Sequence, residues 1–134
     1  MNYGQYETSG RVPYCIRKRF RELQIKYPLL KGWELLSIKQ VVDEVRTLGA
    51  CSHCYKHIIL CRWLWDLNLP THSDLFEILY HEVAHALVGP GKGHGNEWRH
   101  MAKVVGCKHS NHKRAREWMT LKVPPYLQAA MKKS

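Results

Sequence analysis

The stretch from Ser73 to Gly106, SDLFEILYHEVAHALVGPGKGHGNEWRHMAKVVG, decides the fold, and its centre is His81-Glu82-Val83-Ala84-His85. Two histidines four apart on a helix stand about one turn apart on one face, ~5–6 Å between Cβ atoms. One Zn²⁺ can then take a nitrogen from each at ~2.0–2.1 Å. Glu82 follows ~100° round the helix, still on the metal side, where its carboxylate can take a proton from a water polarised by the metal. Phe76, Leu79, Val83 and Leu87 fall near the opposite side, with Tyr80 and Ala84 beside them, and Ile78 lies between His81 and Glu82. Apolar nearly all round, the helix reads as buried. Buried His, Glu and His require partners, and a metal supplies one.

Thr71, Ser73 and Asp74 are capable N-caps, and Asp74 with Glu77 three later has the form of a capping box. Gly89-Pro90-Gly91 stops the helix. A catalytic metal site with three protein ligands needs a third side chain from beyond that stop. His94, in the flexible run Gly91-Lys92-Gly93-His94-Gly95, is the leading candidate, with Glu97 and His100 as rivals. The motif is then His-Glu-x-x-His, eight residues, His, longer than the metzincin spacing. Asn96 is placed to cap a following helix to about Val105, packed through Trp98, Met101, Ala102 and Val105.

His81-Glu82-Val83-Ala84-His85-Ala86-Leu87, then His94-Gly95-Asn96-Glu97-Trp98-Arg99, then Val105-Gly106-Cys107, resembles the SprT-like family of zinc metallopeptidases, which includes the Spartan proteases. Gly49-Ala50-Cys51 through Ile58-Ile59-Leu60 is similar to the strand region preceding that family's active-site helix. The resemblance covers roughly residues 12–107. It implies that His81, His85 and His94 bind one catalytic zinc, that Glu82 is the catalytic acid/base, and that substrates are proteins on or crosslinked to DNA. Phage-encoded members are similarly short, which would make the compartment a host cytoplasm. Many members continue with a cysteine-rich zinc ribbon that does not follow Cys107 here.

The rest of the chain reads as one α+β domain of zincin-like, minimal form: an N-terminal helix, a small three-stranded sheet, the His-Glu-x-x-His helix and a second helix. Residues 1–11 read as a flexible lead-in, 12–120 as the metallopeptidase domain and 121–134 as a basic tail. From Val12 to Tyr27 a helix is expected, with Tyr14, Ile16, Phe20, Leu23 and Ile25 as its apolar side and Arg17, Lys18, Arg19, Arg21 and Lys26 outside; Pro28 ends it. Strands are expected at Trp33–Ser37, Val41–Leu48 and His57–Leu60, with Gly49 as a break. Arg62–Leu67 fits either strand or helical turn, and Lys113–Met119 a short basic helix.

Cys51 and Cys54, with His57 and Cys61 following, form a candidate second metal site, although no second Cys-x2-Cys accompanies them; Cys107, His109 and His112 form a weaker one. Five cysteines without an export signal fit reduced thiols and a cytoplasmic setting. No apolar run approaches the ~18–20 residues of a membrane span. Lys and Arg number 21 against 11 acidic residues, a net +10, which points to a polyanion partner; the family resemblance implies that it is DNA, single-stranded or damaged. The competing function class is a basic nucleic-acid-binding or phage accessory protein that keeps a structural zinc and does little proteolysis.

Overall fold

The computed structural model describes residues 6–7, 12–38, 49–61 and 72–108. Helix α1 (Tyr14–Lys26) buries Ile16, Phe20 and Leu23, at i, i+4 and i+7. Tyr14 and Ile25, expected on the same stripe, are 61% and 83% exposed. The period explains Ile25: nine residues after Ile16, it lies about half a turn away. Tyr27 turns extended before Pro28, as the residue before a proline must when its α conformation is disfavoured, and a short 3₁₀ turn (Pro28–Leu30) follows.

The sheet is mixed, in the order β1 (Tyr6–Glu7), β2 (Glu34–Ile38), β4 (His57–Cys61), β3 (Gly49–Ser52). β2 and β4 run parallel, with Glu34 opposite His57 and Ile38 opposite Cys61. β3 pairs antiparallel with β4, Gly49 opposite Leu60 and Ser52 opposite His57. Two expectations change here. The lead-in is not wholly outside the fold, because Tyr6–Glu7 pairs with Ser37 and Ile38 as a fourth, two-residue strand. Gly49 does not break the chain but opens β3, its backbone hydrogen-bonded into the ladder. The expected strand over Val41–Leu48, the undecided Arg62–Leu67 and the basic segment Lys113–Met119 lie outside the described residues.

Helix α2 (His72–Val88) packs with α1 on one face of the sheet. Leu75, Ile78, Leu79 and Val83 meet Ile16, Phe20 and Leu23, and Leu35, Ile58 and Leu60 complete this core. Ile58 and Leu60 share the face because side chains alternate along a strand. Helix α3 (Asn96–Val105) closes against the far side of α2 through a smaller cluster of Ala84, Trp98, Ala102 and Cys107. Gly95, not Asn96, is its N-cap; Asn96 instead accepts a hydrogen bond from Arg99 at 2.7 Å. Asp74, expected as the cap of a capping box with Glu77, lies inside α2, which begins at His72. Glu77 is buried within α2 and accepts a hydrogen bond from the Cys107 thiol at 3.0 Å, tying the end of α3 to the first half of α2. No helix among the described residues is long and apolar enough to cross a membrane.

Candidate metal centre

His81 and His85 lie one turn apart on α2, and the loop after Val88 brings His94 back over them. That loop reverses through Gly89 (φ +90°) and Gly91 (φ +79°), left-handed conformations that L side chains resist, and a Cβ at either would meet nothing within 4 Å. Backbone conformation, not space, demands glycine there. Lys92 reaches forward to Glu97 at 3.1 Å, across the start of α3. Glu97 is thereby engaged at the surface, and His100 is exposed; neither rival joins the two helical histidines.

The Nε2 of His94 stands 3.0 Å from that of His85 and 3.1 Å from that of His81. Nitrogens bound tetrahedrally at ~2.0–2.1 Å would stand about 3.3 Å apart, close to what is seen. A neutral imidazole offers one N–H and one lone pair, so His94 Nε2 cannot donate to two neighbours at once. A central cation resolves this, because each ring then presents a lone pair inward. The three rings are the one group of metal-ligating side chains among the described residues that converges, with ligand atoms all within 4.8 Å of one another. Cys51, Cys54 and His57 do not converge in this way. Cys51 lies on β3, Cys54 is exposed in the turn after it, and the side chain of Cys61 lies outside the described residues. Of the weaker trio, Cys107 is committed to Glu77, and His109 and His112 fall outside the described residues.

Trp98 forms the floor. It is fully buried, its ring centroid lies 4.7 Å from His81, 5.3 Å from His85 and 4.7 Å from His94, and its plane stacks on His85 at 26°. Its Nε1–H donates to the backbone carbonyl of His81 at 3.2 Å. One side chain therefore confines all three imidazoles, a role beyond the helix packing that its position in the sequence suggests. A second tie comes from the hairpin between β3 and β4, where His53 Nε2 bonds to the carbonyl of His85 at 2.9 Å. A carbonyl only accepts, so this nitrogen carries the proton.

A family model, the SprT-like family, matches residues 14–118. The chain belongs to the SprT-like family. No curated protein and no solved structure gave a significant match. The SprT-like assignment is consistent with a metallopeptidase type of enzyme, and the three converging histidines could hold a metal ion.

Glu82 directly follows His81 on α2. Its side chain is 4% exposed, and burial pushes its carboxyl up from an ordinary 4.5 to about 8. Beside it, burial first and the Glu82 charge second push the Cys51 thiol up to about 12. The sign of the Glu82 effect on stability follows. Folded protein holds a proton that the unfolded chain releases above 4.5, so its contribution is full below 4.5 and is lost as pH rises through about 8. Metal-free protein is therefore expected to lose stability relative to Glu82→Gln across that window, by at most about 5 kcal/mol at its upper end. Urea unfolding of both proteins in chelator, from pH 5.5 to 8.5, measures the difference. A difference that stays flat would show that the carboxyl is not desolvated.

Proposed function

We propose that the chain is a zinc-dependent endopeptidase, with residues 12–120 as its catalytic domain, acting on proteins held on nucleic acid. The observation that carries the peptidase reading is a buried carboxylate, Glu82, directly following His81 in a convergent three-histidine site. Three nitrogen donors with room for a further ligand is the donor set of catalytic zinc. When bound, zinc supplies Lewis acidity towards water and the scissile carbonyl. Glu82 takes the proton from the attacking water on a carboxylate oxygen and delivers it to the leaving amine nitrogen. Trp98 and the His53 contact hold the ligand-bearing helix still while this happens. Among the described residues β3 is an edge strand running beside α2, so an extended peptide could pair with it by backbone hydrogen bonds.

The nucleic-acid part of the reading rests on charge. The chain carries a net +10, and α1 contributes Arg17, Lys18, Arg19, Arg21 and Lys26 against a single acidic residue, Glu22. Arg19 pairs with that Glu22 at 3.5 Å, while Lys18, Arg21 and Lys26 stand exposed. The competing reading, a nucleic-acid-binding protein with a structural metal, leaves Glu82 without a purpose, because a structural site uses no acid/base carboxylate.

The test is cleavage of a basic DNA-binding protein by zinc-loaded enzyme, with and without single-stranded DNA. DNA is expected to raise the rate, and Lys18→Glu with Arg21→Glu is expected to remove most of that stimulation while leaving the DNA-free rate within about twofold, because electrostatic steering by surface charge acts on encounter and not on chemistry. Cleavage indifferent to DNA would leave a general peptidase whose charge serves solubility. Absence of cleavage under both conditions, alongside tight DNA binding, would favour the binding-protein reading.

A further inference from the structure

Gly49 is one of the glycines whose backbone does not require glycine. It lies in extended strand and is absent from the left-handed positions, which fall at Gly32, Gly89, Gly91, Gly93 and Gly106. What singles it out is space. A Cβ at Gly49 would stand 3.0 Å from Ile78 Cγ2, 3.2 Å from Glu82 Cγ and 3.2 Å from Glu82 Oε2. Those distances are shorter than ordinary van der Waals contact, so a methyl group there forces something to move. A glycine inside a strand commonly marks such a close approach.

Ile78 is fully buried in the main core and cannot yield. The strand cannot readily lift away either. It is hydrogen-bonded along β4, with Gly49 opposite Leu60, and the same hairpin is tied to the last turn of α2 by His53 on the His85 carbonyl. The remaining mobile group is the arm of Glu82. We propose that Gly49 is a positioning residue for the reaction: the bare backbone of β3 is the wall against which the arm of Glu82, the residue after His81, is seated. This rests on the reading of Glu82 as the acid/base. It also assigns the strand a task that neither the metal ligands nor Trp98 performs, because none of them touches the carboxylate from the sheet side.

Displacement of a reacting group by ~1 Å can cost on the order of 10²-fold in rate. Relief of the Gly49→Ala contacts needs a few tenths of an ångström, so kcat is expected to fall roughly 3- to 10-fold, with KM changed by less than about threefold and the metal still bound stoichiometrically, since the atoms nearest that Cβ belong to Ile78 and Glu82. A second readout does not depend on turnover. In a double-mutant cycle of Gly49→Ala with Glu82→Ala, the fall in urea midpoint caused by Gly49→Ala should be larger when Glu82 is present than when its side chain beyond Cβ is removed. A Gly49→Ala protein that folds only in the Glu82→Ala background would be the extreme form of the same coupling and would support the proposal. Additive midpoints together with an unchanged kcat would overturn it. Glu82→Gln separates this from the reading beneath: an active Glu82→Gln enzyme rejects the acid/base assignment, whereas an inactive Glu82→Gln with a fully active Gly49→Ala rejects the positioning role alone.

Discussion

Glu82→Gln is expected to remove peptide hydrolysis while leaving the metal in place. The two side chains have nearly the same shape, so the packing against Gly49 and Ile78 is kept. What is lost is the ability to take a proton from water and return it to the departing amine. General acid–base catalysis of this kind contributes roughly 10²–10⁴-fold, and one group serves both halves of the reaction here, so the upper end of that range is expected for kcat/KM. Metal binding should be unaffected, because the converging donor atoms are the three imidazole nitrogens. Metal content by mass spectrometry and kcat/KM on a protein substrate measure the two sides separately. Equal activity in the variant would remove Glu82 from the chemistry. Loss of metal together with activity would instead make Glu82 part of the metal's support.

The second large effect concerns His94. Its Nε2 is the atom common to both close nitrogen contacts, so His94→Ala removes a ligand and also the ring that covers the two helical histidines. Loss of an outer partner typically weakens a metal site 10–100-fold, and loss of a direct ligand should exceed that. Activity should vanish with it. In the wild type, metal present at a thousand times its Kd would contribute about 4 kcal/mol of stability. For a chain of this size that corresponds to a fall in Tm on the order of 10 °C when a chelator strips the metal. His94→Ala should start near the chelated Tm and respond little to chelator. Glu97→Ala and His100→Ala serve as controls, and both should keep the wild-type response. A His94 variant that binds metal as tightly as the wild type would return the third-ligand role to one of them.

The site was legible in the sequence to the extent that it is local. The convergence of three imidazoles could be read from the helical spacing of His81 and His85 and from the glycine-rich run that lets the chain double back at His94. The buried character of α2 also followed from its apolar circumference. What spacing could not reveal is what arrives from elsewhere in the chain. Gly49 reads locally as a strand breaker, and its closeness to Glu82 exists only once β3 has docked on α2. Glu77 fits a capping box on paper, yet Cys107, thirty residues on, claims its carboxylate. Trp98 is legible as a core residue, but its contact with all three imidazoles depends on how α3 crosses α2. Ile25 and Tyr14 show the opposite error: both lie about half a turn from Ile16, on the outward side of the helix whose inner face is Ile16, Phe20 and Leu23, and both stay exposed.

The metal ligands and the Trp98 floor all lie between residues 81 and 98, joined by one short loop, whereas the wall behind Glu82 comes from a strand far earlier in the chain. Closing a short loop costs little entropy, and distant pairings form later and more slowly. The three imidazoles thus come together across one short loop, whereas the arm of Glu82 meets its wall only when β3 docks on α2.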